Sequence, residues 1–311
     1  MVDAGRIPHP DAAAAPGGGG RGPDVGVSAL QRVAIVGPGL IGGSIGLAIR
    51  ARRPEVEVIA IARSEAGAAA AVARGAATAG SADLQVAVAA DLVIVATPLP
   101  EMRPVLARLG RILPDTVLVT DVGSVKAPVA GWAQELLPHA QNFLPGHPMA
   151  GKAESGLRAA EATLFQGAPW IFTPSSDADR TRFAEVVRLI EALGATPVWM
   201  TAAEHDRRVA LVSHLAFTVS AAYVAAVKAS PGWARAVDIA GPGFRDMVRL
   251  AGSDPDLSAA IAQANRTELL DAIGHFEAAL KRFRRHLEEN TPSIWELFEE
   301  SKLVHDQWMA G

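Results

Sequence analysis

The sequence predicts an α/β fold, a parallel sheet covered on both faces, followed by an all-helical segment. Three observations predict it. Short, continuously apolar runs alternate with helical stretches up to about residue 198, which is how strands buried on both faces read. A glycine-rich turn joins the first of those runs to a helix. Beyond residue 198 the runs give way to long helical stretches with no convincing strand.

In chain order, residues 1–28 are rich in Ala, Gly, Pro and Asp around Gly17-Gly18-Gly19-Gly20. They bury too little apolar area to offset ordering entropy, so a disordered tail is expected, with order beginning near Gln31. Val33-Ala34-Ile35-Val36 reads as a strand, Gly37-Pro38-Gly39 as a turn and residues 40–51 as a small-residue helix. A strand over 56–61 and an alanine-rich helix over 65–74 follow. The run 91–96 is a third strand, stopped by Thr97-Pro98, then a helix over 100–111 and a strand over 116–120. The later helical stretches are 203–228, 233–249 with a break near Gly241-Pro242-Gly243, 255–288 and 292–309. Ser253-Asp254-Pro255 reads as a cap with proline in the first turn. No internal repeat is apparent.

Composition narrows the function. Half the residues are hydrophobic and the net charge is −4, so the chain can pack a core and has no electrostatic reason to seek nucleic acid. With no cysteine, thiolate catalysis, disulfides and Cys-based metal sites are excluded. The histidine spacings define no metal site. No signal peptide is read in residues 1–28, and a cytoplasmic protein is expected. With so few residues before the first strand, no further domain is expected ahead of it, and none after Gly311. The uncharged run 209–227 is long enough to cross a bilayer. It contains Ser213, His214, Thr218 and Ser220, and Arg207, Arg208 and Lys228 flank both ends, so a helix buried on all sides of a soluble protein is expected instead. A small domain with such a helix needs a partner surface, which predicts a homodimer.

Gly37-Pro38-Gly39-Leu40-Ile41-Gly42 is G-x-G-x-x-G between a strand and a helix, the context that makes it a dinucleotide-binding turn of a Rossmann-type domain. Gly37 permits the turn, Gly39 lets backbone approach a pyrophosphate, and Gly42 lets helix pack on strand. The amides after Gly39, those of Leu40 and Ile41 included, then face the phosphates. Thr97 and Asp121, at the ends of later strands, join the expected cofactor-binding set. An acid about 20 residues past the last glycine would bind the ribose hydroxyl of NAD. Ala62, Arg63 and Ser64 stand there instead, which favours NADP over NAD, with Arg63 and Ser64 on the 2′-phosphate. The expected division is therefore a tail (1–28), a dinucleotide-binding domain (29–198) and a helical domain (199–311).

Five ordered segments carry a family resemblance: VGPGLIGGS (36–44), DVGSVK (121–126), GHPMAG with Ser155-Gly156 (146–156), AEHDRRVALVSHL (203–215) and GFRDMVRLAGSDP (243–255). Together they resemble the prephenate/arogenate dehydrogenase family of tyrosine synthesis, over nearly the whole chain after residue 30. The resemblance implies a dinucleotide-binding domain joined to a helical dimerisation domain, with the active site between them. It implies a cyclohexadienol substrate, prephenate or arogenate, that gives hydride from C4 to nicotinamide, loses its hydroxyl proton and then CO2. Such a reaction needs a base, a cation for a carboxylate and no metal.

The resemblance also assigns residues. His147 matches the catalytic histidine that takes the 4-hydroxyl proton, a task suited to imidazole. Ser124 matches the serine that shares that hydroxyl and orients the histidine. Arg249 matches the arginine on a substrate carboxylate, and Arg245, four residues earlier, shares its helix face as a second anion contact or a surface residue. His214 matches a pocket histidine. His205 lies nine residues before it, half a turn out of phase on a straight helix, so the two are expected to face opposite sides. Glu204-His205-Asp206 then reads as an ordinary first helix turn, and His139, His275, His286 and His305 as surface or structural residues.

Three departures bear on substrate choice. Lys152-Ala153-Glu154 stands where the family often has Thr/Ser-Glu-Lys, which places Ala153 at a gating glutamate. SHLPH becomes Ser213-His214-Leu215-Ala216-Phe217, and Ser258 replaces a frequent tryptophan. The expected function is prephenate dehydrogenase, with arogenate dehydrogenase as the near alternative and a non-catalytic nucleotide sensor as one of another class. A 3-hydroxyacid dehydrogenase of similar layout would carry G-x-x-x-K-x-x-x-N, and Gly232 stands where the Asn after Lys228 would be.

Overall fold

The computed structural model describes residues 30–152, 154–289 and 292–310. The expected tail and Ala153 lie outside the described residues. The elements run β1 (Arg32–Val36), α1 (Leu40–Arg52), β2 (Glu57–Ile61), α2 (Glu65–Ala73), β3 (Ala79–Ser81), β4 (Leu92–Val95), α3 (Leu99–Ile112), β5 (Leu118–Asp121), α4 (Ala127–Leu136), β6 (Phe143–Leu144), β7 (Gly146–Pro148) and β8 (Pro169–Phe172). They continue with α5 (Ala178–Arg182), α6 (Ala184–Ala192), β9 (Thr196–Trp199), α7 (Ala202–Val209), a π-helical turn (Ala210–His214), α8 (Leu215–Ala229), α9 (Trp233–Ala236), α10 (Pro242–Val248), α11 (Pro255–Ala264), α12 (Arg266–Glu288) and α13 (Ile294–Ala310).

The first sheet is parallel, in the order β3-β2-β1-β4-β5-β6. That is the doubly wound dinucleotide-binding order, with its switch point between β1 and β4. Each strand feeds both faces by simple alternation. Val33 and Ile35 pack on one side with Ile45 and Ile49 of α1 and Leu189 and Ile190 of α6. Ala34 and Val36 pack on the other with Met102 and Leu106 of α3 and Val129 of α4. Continuous apolar strands are the consequence of two covered faces.

A second, three-stranded sheet was not expected. In it β7 pairs antiparallel with β8, and β8 pairs parallel with β9. His147 is therefore a strand residue, opposite Ile171, and not on irregular backbone as its Gly-His-Pro setting suggests. These strands are short and proline-bearing (GHP, PWIF, TPVW), which hides them from periodicity.

Two further expectations need correction. The stretch 255–288 is broken at Asn265, whose side chain turns inward to bond Asp206 and His214. The apolar helix is not buried on all sides: 22% of its most apolar stretch is buried, and Leu211 and Val212 are exposed at 49% and 71%. Among the described residues, α10 and the 3-10 turn after it are neighbours of α8, and they leave Leu211 and Val212 exposed. The chain divides into two compact units, Ser28–Leu270 and a smaller one that includes Asp271–Gly311. The first holds both sheets and every residue of the site below. In the second, Phe283 of α12 packs edge-on against Phe298 of α13.

Candidate active site

The site assembles at the carboxyl ends of β1, β4 and β5, where open parallel sheets bind ligands. Gly37 ends β1 at φ 92°, and a Cβ there would stand 2.8 Å from the Ala96 carbonyl oxygen. A Cβ on Gly42 would stand 2.3 Å from the Gly37 carbonyl oxygen. Both glycines are required by the fold itself. Gly39 is different: its φ is −84°, open to any residue, and a Cβ would meet nothing within 4 Å. The space in front of it is left clear. Gly39 is also the N-cap of α1 and makes no side-chain cap, so the first amides of that helix, those of Leu40 and Ile41 included, have no such partner. Beside Gly37 the Thr97 hydroxyl is buried without a hydrogen bond to a described residue. An open glycine, uncapped helix amides and an unpaired hydroxyl fit the phosphates of a dinucleotide.

At the end of β2, Arg63 is exposed, and the Ser64 oxygen caps α2 by accepting from the Gly67 amide at 3.2 Å. The nearest acid, Glu65, accepts from the Ala82 amide at 2.8 Å.

At the end of β5 the chain builds a buried tie. Asp121 and Lys126 are fully buried and paired. Lys126 also donates to the Gly146 carbonyl, while Asp121 accepts from the Gly123 amide at 2.7 Å and the Gly146 amide at 3.1 Å. Burial pushes the Lys126 ammonium below its ordinary pKa, and the Asp121 carboxylate opposes that. The Asp121 side chain is thus spent inside the protein, where it fixes Gly146 beside His147, and it is not free to touch a cofactor.

His147 is nearly buried, and its Nδ1 lies 2.8 Å from His205 Nε2. His205 Nδ1 lies 2.7 Å from Asp206 Oδ1. Asp206 accepts in turn from the amides of Lys126 (2.7 Å) and Ala127 (2.8 Å). Asn265 Nδ2 donates to the Asp206 carbonyl at 2.7 Å and lies 3.0 Å from His214 Nδ1. Burial first, then the neighbouring His205, Lys126 and His214, hold His147 well below the ordinary imidazole pKa. Burial likewise lowers His205 against the pull of Asp206. It pushes His214 down to about 4, although Asp206 and the Ser124 backbone favour its charged form. Burial alone would raise Asp206, but His205 and the two amides outweigh it and leave the carboxyl below its usual range. The result is a neutral, sheltered imidazole whose Nε2 makes no hydrogen bond to a described residue, which is the requirement for a general base.

His205 corrects the expectation of opposite faces. The π-helical turn between the two histidines holds one residue more than an α turn would, so nine residues advance the phase like eight, about 80° instead of half a turn. His205 and His214 are consequently buried in one cluster. The described hydrogen-bond partner of His147 is His205; Ser124 is half-buried and its hydroxyl bonds no described residue. Sequence reasoning missed His205, Asp206, Lys126 and Asn265. A signal for the first three was present in EHD and DVGSVK, and the π turn is what brings His205 into phase with His214; Asn265 carried no such signal.

Arg245 and Arg249 are exposed and pair with no described acid. Their segment is tied to α8 by the Ser220 hydroxyl, which donates to the Met247 carbonyl and accepts from the Ala251 amide. Among the described residues no hydrogen bond or ion pair joins either arginine to the histidine cluster. Glu154 is exposed, and Lys152 pairs with Glu161. The Phe217 ring stands 5.8 Å from that of His214.

Comparison with known proteins agrees with this geometry. Residues 45–198 match the nucleotide-binding domain of prephenate dehydrogenase, and residues 201–300 match its dimerization domain. A prephenate dehydrogenase of Bacillus subtilis is 33% identical over 279 residues, 88% of this chain and 75% of that protein. The crystal structure of Synechocystis arogenate dehydrogenase is 31% identical with a TM-score of 0.77, covering 89% of this chain and 99% of that one. That of Aquifex aeolicus prephenate dehydrogenase, in complex with hydroxyphenyl propionate and NAD+, is 28% identical with a TM-score of 0.84, covering 90% and 99%. With both domains matched in order around one histidine cluster, the chain belongs to the prephenate dehydrogenase family.

Proposed function

We propose that this chain oxidatively decarboxylates prephenate to 4-hydroxyphenylpyruvate. The observation that carries the reading is His147: a buried neutral imidazole with a free Nε2, held at the strand-end edge that also presents the open Gly39 turn. The dinucleotide held there supplies an acceptor for the hydride from substrate C4. His147 Nε2 takes the 4-hydroxyl proton, so the carbon–oxygen bond becomes a carbonyl. The C1–carboxylate bond then breaks, its electron pair enters the ring, and CO2 leaves as the ring becomes aromatic. Ser124 shares the hydroxyl, and Arg249, with Arg245 beside it, meets a substrate carboxylate through a planar fork. His214 lines the pocket.

NADP is the preferred cofactor in this reading. Arg63 pairs with no described acid at the end of β2, no acid stands between Ile61 and Glu65, and one oxygen of Glu65 is taken by the Ala82 amide. A 2′-phosphate would meet a guanidinium and not a carboxylate there. We also propose a homodimer, with a second copy covering the exposed Leu211 and Val212 of the apolar helix, and a cytoplasmic location beside the nicotinamide pools.

The test is formation of reduced cofactor with prephenate or arogenate, each with NAD or NADP. Turnover fastest with prephenate and NADP supports the reading. Silence in all four combinations, from folded protein that still binds cofactor, refutes it.

A further inference from the structure

Two buried side chains beside His147 have no part in the chemistry as written so far. His205 reaches His147 Nδ1 with one ring nitrogen and Asp206 with the other. Asp206 is fixed from behind by the amides of Lys126 and Ala127.

We propose that His205 and Asp206 are positioning residues that lock His147 in the tautomer protonated on Nδ1, so that its Nε2 is an unprotonated base facing the substrate hydroxyl. The proposal rests on the reaction put forward above. Each link has one solution. Asp206 is ionised at neutral pH, because His205 and two amides stabilise its charge, so it can only accept. The nitrogen facing it, His205 Nδ1, must carry hydrogen. Burial keeps His205 neutral, so its Nε2 holds a lone pair. A lone pair 2.8 Å from His147 Nδ1 demands a donor there. His147 is itself neutral, so its single hydrogen sits on Nδ1 and Nε2 is left bare.

The balance during turnover is simple. The substrate O–H bond breaks and an N–H bond forms at His147 Nε2, which makes an imidazolium. Its Nδ1 hydrogen stays in place, donated to His205, whose own Nδ1 hydrogen stays on Asp206. The carboxylate thus stabilises the new charge through one intervening ring, and no proton moves along the chain. When CO2 leaves and its electron pair makes the ring oxygen a phenolate, the proton on Nε2 returns to that oxygen, which gives the 4-hydroxyl of the product and restores the base.

Two variants separate positioning from packing. His205→Phe keeps a ring and removes both nitrogens. His205→Gln keeps both polar contacts, because ionised Asp206 draws the amide nitrogen and turns the amide oxygen towards His147. The expected result is a kcat about 10- to 100-fold lower in His205→Phe, part of the range for a positioned base, with KM for substrate and cofactor within about twofold and most of kcat restored in His205→Gln. Nitrogen-15 NMR of the His147 ring, which needs no turnover, should show hydrogen on Nδ1 in the native protein and the glutamine variant. The phenylalanine variant should carry it on Nε2. An unchanged kcat in His205→Phe, an unchanged His147 tautomer, or equal losses in both variants with raised KM would overturn the proposal. Because the tautomer is read without substrate, failure of the positioning role is distinguishable from failure of the proposed reaction.

Discussion

Replacing His147 with asparagine isolates the base from its surroundings. The asparagine amide reaches about as far as Nδ1, so its N–H can still donate to His205 Nε2, at the place where the native contact measures 2.8 Å. The atom it lacks is Nε2. The buried neighbours Asp206, Lys126 and Asp121 keep their partners, so the fold is undisturbed. A positioned base is worth about 10²–10⁴ in rate, or about 2.7–5.5 kcal/mol of barrier. The upper part of that range is expected, because His147 is only 8% exposed and bulk water is poorly placed to take its role. Steady-state kcat with prephenate, together with cofactor Kd from quenching of protein fluorescence, reads both quantities. A kcat within about tenfold of the native value, with the cofactor still bound equally well, would refute the assignment of His147 as the base.

Three other outcomes follow from the same geometry. Gly39→Ala should raise cofactor KM while leaving Tm unchanged, because the added Cβ meets no protein atom, whereas Gly42→Ala should lower Tm, because its Cβ would stand 2.3 Å from the Gly37 carbonyl oxygen; equal effects on both properties would contradict the split between ligand and packing glycines. Arg63→Asp should move the ratio of kcat/KM values towards NAD, and an unchanged NADP-to-NAD ratio would remove Arg63 from the 2′-phosphate. His147, His205 and His214 all titrate below the ordinary imidazole value in the folded state, among Lys126, Asp121 and Asp206, and return to about 6.5 on unfolding. The unfolded chain therefore binds more protons below that pH, so stability is complete above about pH 6.5 and falls as pH drops towards the folded values; a Tm flat across that acid range would contradict the burial of the three rings.

The parallel sheet was legible because two covered faces leave continuous apolar runs such as Val33-Ala34-Ile35-Val36, and the nucleotide turn because glycine spacing is a local constraint. His147 was legible only through a longer motif. What escaped was set by tertiary contact. Strand β8 (PWIF) has no alternation to read, and it exists because β7 and β9 flank it. The break at Asn265 has no glycine or proline to announce it; its cause is the pair of partners, Asp206 and His214, that its side chain finds across the fold. The phase error between His205 and His214 has the same character. A π turn is one residue of excess, visible only when the inward-facing side chains are known.

The base depends on the assembled unit through Asp206. Helix α4 begins at Lys126 with no cap from its own side chain, and the carboxylate of Asp206, about eighty residues later, accepts from the Lys126 and Ala127 amides in its place. The favourable charge of that helix terminus then helps to keep Asp206 ionised. The same carboxylate orders His205, and through it His147, on a strand of the second sheet. One side chain therefore seats α7 on the carboxyl edge of the sheet and sets the proton on the base. Without α7 in place, α4 would lack its cap, Asp206 would lack its charge partners and His147 would lose the neighbour that holds its tautomer, so the seat of α7 and the state of the base rest on the same carboxylate.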